Sequence, residues 1–252
     1  MVFVFQQTLV KDRSQGIYLQ EISLDGQSGE IRTYAWKGEL AEFTASLEDG
    51  DKKERPFYIF FHDVIIGKNG SIFLIGEQFL KQVSAGGVAM NLVAGATGGS
   101  SNASNFEMLI GNMLVFEFNA KKDIVNIESI AKKRTRVILP QVMGVYGSQT
   151  LGYYIKSIGG FYYCFTSRNK EKDMYDVVYI DANRKEDDKS AKSDMIIGVI
   201  SIKQGKTNAN RVPINCTSSY WWIQPGKPGF ISVSEYFRKE RKVNMRLEKL
   251  TY

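Results

Sequence analysis

Glycine turns recur between pairs of short apolar runs, and this repetition limits the fold more than any other feature of the chain. Three stretches share the layout: FFHDVIIGKNG-SIFLIGEQF, YYIKSIGG-FYYCFTS and SYWWIQPGKPG-FISVSEYF. Each reads as strand, turn and strand. Hairpin turns need residues that accept positive φ, and Gly70 and Gly229 are placed to supply it. The first and third stretches also end alike, with Glu77 and Glu235 each two residues before a phenylalanine.

Other runs extend the pattern. GIYLQEISL (16–24) and EIRTYAW (30–36) flank a DGQSG turn, and MLVFEFN (113–119) alternates cleanly. KKDIVNIESI, RTRVILP, DMYDVVYIDAN, MIIGVISIKQGK and KVNMRLEKLTY read as further strands. Roughly sixteen strands result, at the spacing an all-β fold requires. Long Ala-, Leu- and Glu-rich stretches at helical spacing are missing, while 23 glycines and 12% aromatics suit turn-rich β structure. The 252 residues are read as one domain, 1–252. Four-stranded units joined by unequal loops predict a β-propeller-like fold of about four blades, or part of a larger wheel. A β-sandwich is the alternative. Residues 83–105, VSAGGVAMNLVAGATGGSSNASN, form a Gly/Ser/Ala-rich insertion without charge. It is expected to be a flexible flap, with one or two helical turns possible in VAMNLVAGA.

FHDVIIGKNGSIFLIGEQF and SSYWWIQPGKPGFISVSEYF resemble a family of uncharacterised bacterial proteins with propeller-like repeats. The likeness implies a β-propeller-like fold and export to the bacterial envelope. It implies no established activity. The sialidase-type Asp box is only faintly echoed by Ser23-Leu-Asp25-Gly-Gln-Ser-Gly29, which lacks the Thr-Trp ending and reads as a tight turn.

Candidate chemistry centres on the repeated glutamates. Glu77 and Glu235, from different blades, could act as acid and base on a glycosidic bond. Residues equivalent under a repeat are also what a structural role produces, each carboxylate bonding nearby backbone, and that reading is preferred. Tyr220, Trp221 and Trp222 could form a stacking platform for a ligand. Strand alternation sends the two tryptophans to opposite faces, and packing in the core is the expectation for both. His62 and Asp63 are neighbours on a strand and point apart, so a hydrogen-bonded structural histidine is expected. Asp49, Asp51 and Glu54, and Asp187 and Asp188, crowd two loops without EF-hand spacing, so no metal site is expected. Neither is a cofactor. Asn102 and Asn215 match the glycosylation pattern.

The net charge is +6. Two clusters carry much of it: Lys132, Lys133, Arg134 and Arg136, and Arg238, Lys239, Arg241 and Lys242. Both are read as solvated strand ends, and they lack the patterned aromatics of RNA-binding sheets, which argues against a nucleic-acid partner. Cys164 and Cys216 show no metal-ligand spacing, and Cys164, within FYYCF, reads as a buried thiol. No segment reaches transmembrane length, and MVFVFQQTLVKDR reads as a strand, not a signal peptide. The function expected is therefore a non-enzymatic binding or scaffold module with a glycan or protein ligand, in the bacterial periplasm or at the cell surface. The alternatives are a glycoside hydrolase-like enzyme and a cytoplasmic location.

Overall fold

The computed structural model describes residues 2–5, 8–9, 13–14, 16–41, 58–99, 104–183 and 194–250. Asn102 and the acidic loop residues Asp49, Asp51, Glu54, Asp187 and Asp188 lie outside the described residues. The chain is mostly β. Among the described residues four antiparallel sheets of three to five strands follow one another, and none closes on itself. Seventeen strands are present among the described residues. The chain divides into two compact units, residues 1–64 with 73–161 and residues 65–72 with 162–252.

The first unit holds two sheets. One is β1 (Val2–Phe5), β4 (Gly16–Ile22) and β5 (Ser28–Ala35), with a two-stranded ribbon of β2 (Thr8–Leu9) and β3 (Arg13–Ser14). The other is β6 (Tyr58–Ile66), β7 (Ile72–Val83), β8 (Phe106–Phe118), β9 (Ile124–Ile130) and β10 (Thr135–Ile138), in the order β10-β8-β7-β6 with β9 also on β8. β8 is long enough to pair twice. Its first half meets β10 (Ile138↔Glu107) and its second half meets β9 (Met113↔Ile130). From Ile72 to Phe79, β7 is buried on both faces, which explains its nearly continuous apolar run. Gly70 takes φ +80° in the turn between β6 and β7, as the hairpin reading requires.

Among the described residues two short helices interrupt the strands. Within the 83–105 insertion, Ala85–Ala96 form α1, longer than the one or two turns expected. Ser148–Ser157 form α2, and this corrects the second of the three hairpins. GYYIKSI is helical because Leu151, Gly152 and Ile155 make one buried stripe at helical spacing. A side chain at Gly152 would meet the Phe60 and Phe79 rings at 3.0–3.1 Å. The helix stops where Gly160 N–H donates to the Ile155 carbonyl at 2.8 Å. FYYCFTS is a strand as expected, but its partner is the strand that follows it.

The second unit also holds two sheets. β11 (Tyr163–Asn169), β12 (Met174–Asn183), β13 (Asp194–Lys203) and β14 (Lys206–Ile214) are paired in sequence order, and so are β15 (Tyr220–Pro225), β16 (Phe230–Phe237) and β17 (Lys242–Lys249). β14, TNANRVPI with its lysine, carries too little apolar alternation to be read as a strand in advance. It is an edge strand, where Pro213 is tolerated. Val178, Ile197, Val199 and Ile214 pack against Ile231, Val233 and Leu250 as one buried cluster. Each such side chain contributes about 1.5–3 kcal/mol by leaving water.

The Tyr179 ring lies over Gly198, its register partner on β13. A Cβ there would fall 1.9 Å from the ring, and Tyr179 is buried with no open side to move toward. Gly198→Ala is therefore expected to cost about 2 kcal/mol. A lower urea midpoint at unchanged slope would show it.

Candidate functional site

The hairpin SYWWIQPGKPGFISVSEYF forms as the sequence predicts, with Gly229 at φ +81°. Alternation along β15 then separates its aromatics. Tyr220 and Trp222 stand on the outer face, 53% and 41% exposed, while Trp221 and Ile223 turn inward and are half-buried. Ile223 packs against the apolar cluster of the unit. Trp222 thus departs from the core packing expected of it.

Register places further side chains beside it. The outer face runs in rows: Tyr220–Tyr236–Val243, Trp222–Ser234–Met245 and Gln224–Ser232–Leu247. Val243, Met245 and Leu247 are all exposed, with only serines between them and the aromatics. Tyr220 and Tyr236 meet edge to face, ring centres 6.4 Å apart. On β17 the usual pattern is inverted, since the polar Asn244, Arg246 and Glu248 share parity with buried Glu235 while the apolar residues face out. At one end of this face the β16–β17 turn carries Arg238, Lys239 and Arg241, followed by Lys242, all exposed.

Glu235 lies on the opposite side of β16, paired with Trp221 and Asn244. It is buried. Its Oε1 accepts the backbone N–H of Thr217 at 2.6 Å and of Ser218 at 3.0 Å, and Oε2 accepts from Arg246 Nη1. Arg246 also donates from Nε to Glu248 at 2.7 Å and from Nη2 to the Asn215 carbonyl at 2.8 Å. The pair therefore clamps the connector 215–218 that leads into β15. The Ser218 amide, then the Thr217 amide and Arg246, hold the Glu235 carboxyl below its ordinary pKa despite burial.

Glu77 belongs to the first unit and is fully buried on β7. Its Oε1 lies 3.0 Å from Lys132 Nζ and its Oε2 3.2 Å from His62 Nε2. Lys132, read in advance as part of a solvated cluster, is in fact buried. The missed signal is parity: Lys132 follows buried Ile130 by two residues, so it continues an inward-facing register. Phe60 and Phe161 flank the imidazole with ring centres 5.1 and 5.0 Å away. Lys156 Nζ stands 3.5 Å from Nδ1 on the other edge of the ring. Burial pushes the His62 pKa down, against the pull of Glu77. For Glu77 burial works upward, but His62 and Lys132 outweigh it and hold the carboxyl below its ordinary range. Asp63 turns its carboxylate to the Val64 amide at 2.8 Å.

Each glutamate has its own cation and its own partners, in its own unit. Among the described residues no group of three His, Cys, Asp or Glu side chains is placed to hold a metal ion. Cys164 and Cys216 are half-buried and form no disulfide with each other, and the Cys164 thiol donates to the Tyr162 carbonyl at 3.4 Å. Burial raises the Cys216 pKa, against the Arg246 hydrogen bond that lowers it. No helix among the described residues is long and apolar enough to cross a membrane. The family model described as "Family of unknown function (DUF6770)" matches residues 2–251. No curated protein matches the sequence.

Proposed function

The chain belongs to the DUF6770 family, and from its geometry we propose a non-enzymatic binding module that captures a protein on the outer face of the β15–β17 sheet. The observation that carries this reading is the exposed set Tyr220 and Trp222 on β15 and Val243, Met245 and Leu247 on β17, on one face of the sheet. A contiguous apolar patch of this kind marks an interaction surface. Three aliphatic side chains widen it beyond what a sugar ring would stack on, and the basic rim at 238–242 suits a partner whose own rim is acidic. The binding reading is further supported over the hydrolase by the state of the two carboxylates. Glu77 and Glu235 are buried and each is committed to a cation and to other donors. A propeller-like arrangement forms part of the same proposal. Its support is that the three sheets from β6 onward are each built from strands consecutive in sequence, whereas sandwiches exchange strands between sheets. An envelope location accompanies it.

Trp222→Ala combined with Met245→Ser tests the proposal. Both side chains are exposed, so the melting curve is expected to shift by no more than about 0.5 kcal/mol equivalent. A photo-crosslinking residue at Tyr220 should give one discrete protein adduct in native cells, lost in the double variant. Binding on a glycan array that the same variant abolishes would replace the protein ligand with a glycan. The absence of both a protein adduct and glycan binding would sink the binding module.

A further inference from the structure

We infer that α1 and the segment at its foot form a membrane-inserting tip that enters one leaflet of a lipid bilayer. One side of the helix, Gly87 and Asn91, is tied to Ser104 and Asn105, and the opposite side is apolar and exposed. Met90, Leu92 and Val93 are 63%, 69% and 64% exposed, and together they span an arc of about 160° around the axis. No charged residue occurs from Val83 to Asn105.

The helix closes its own polar ends, as an apolar surrounding demands. The Ser84 hydroxyl accepts from Gly87 N–H at 3.2 Å, and the Thr97 hydroxyl donates to the Val93 and Ala94 carbonyls at 3.0 and 3.1 Å. Gly99 N–H donates to the Ala94 carbonyl at 2.8 Å. Its base is tied down by Ser84 N–H to the Asn105 carbonyl and by Asn91 to the Asn105 side chain. Gly87 lies so close to the Ser104 carbonyl that a Cβ would fall 1.7 Å from it.

A second segment enlarges the tip. Lys81 donates to the carbonyls of Gly144 and Tyr146, which brings the 3₁₀ turn Gln141–Val145 to the helix base. That turn exposes Val142 and Val145, with Tyr146 following and Val83 and Ile138 close along the chain and sheet. Tyrosine at such a boundary suits the headgroup layer. Arg136, exposed two residues before Ile138 on β10 and 3.6 Å from the Glu107 carboxylate, is a cation for which anionic headgroups would compete with Glu107. Twelve residues rise only about 18 Å, short of the roughly 30 Å hydrocarbon core, so the tip enters without spanning.

The test is flotation of the full chain with vesicles of phosphatidylcholine, with and without phosphatidylglycerol, together with hydrogen exchange of the α1 amides. Wild type should float, more strongly with phosphatidylglycerol, and amides 88–95 should gain protection on vesicles. Leu92→Glu with Val93→Glu, at exposed positions, should melt like wild type and float at least about tenfold less. Failure of the wild type to float, or flotation unchanged by the double variant, overturns the inference. So does a concentration-dependent dimer that the double variant abolishes, because a second copy would then cover the helix.

Discussion

A Glu77→Gln variant is expected to melt about 10 °C below the wild type. The amide keeps the shape of the side chain but removes its charge. Lys132, buried and 3.0 Å from Oε1, is left as an uncompensated cation. Breaking a buried pair from one side costs about 3–5 kcal/mol. For a chain of this size each kcal/mol moves the midpoint by roughly 2–4 °C. The companion double variant Glu77→Gln with Lys132→Met should recover at least half of the loss, since no buried charge then lacks a partner. Lys132→Met alone should raise the His62 pKa, because the lysine is one of the charges that lower it. Thermal melts and an NMR titration of the single imidazole check both. A Glu77→Gln melt within 2 °C of wild type would mean that Lys132 does not depend on this carboxylate.

The same centre makes the fold acid-sensitive in two stages. His62 and Glu77 both have depressed pKa values in the fold. A depressed pKa means that the unfolded chain takes up the proton first as pH falls. The stability each contributes is therefore complete above its unfolded value and drains away below it. For His62 the loss begins near pH 6.5, and for Glu77 near pH 4.5. A urea midpoint flat above pH 7 and falling already between pH 6.5 and 5 is the expected profile. His62→Phe should remove the first stage and keep the second.

Much of this architecture is legible in the sequence because turn chemistry is local. Gly70 and Gly229 stand where the backbone needs positive φ, so the first and third hairpins can be placed from glycine alone. GYYIKSI misleads for an equally physical reason. A short apolar run has no decisive period, and the stripe Leu151, Gly152, Ile155 is recognised only when Phe60 and Phe79 are there to receive it. Glu77 and Glu235 are visible as a repeat, but their cations are not. Lys132 sits in what reads as a solvated KKR run, and Arg246 on a strand whose outward residues are apolar. Long-range charge pairing leaves no trace in spacing. The exposed outer face is hidden likewise, because alternation shows that Trp221 and Trp222 diverge without showing which one meets a core.

Glu235→Ala is the second large effect expected, at about 3 kcal/mol. The carboxylate accepts two backbone N–H groups of the 215–218 connector and the Arg246 guanidinium. Alanine leaves all three donors without this acceptor in a part-buried setting. Glu235→Gln should cost about half as much, because its amide oxygen still accepts from the connector while the pairing with Arg246 is lost. The consequence reaches the proposed binding face through geometry. Ser218 N–H is held by Glu235, the Ser218 hydroxyl accepts from Tyr220 N–H at 3.1 Å, and Tyr220 opens β15. Releasing the connector should therefore loosen Tyr220 and Trp222 together, with faster amide exchange across 216–222 and weaker ligand capture. A catalytic carboxylate predicts the opposite division. Glu235→Gln would then abolish turnover of a glycoside while leaving the melting temperature and the 216–222 amides as they were. Stability, exchange and capture falling together identify Glu235 as the residue that positions the aromatic hairpin.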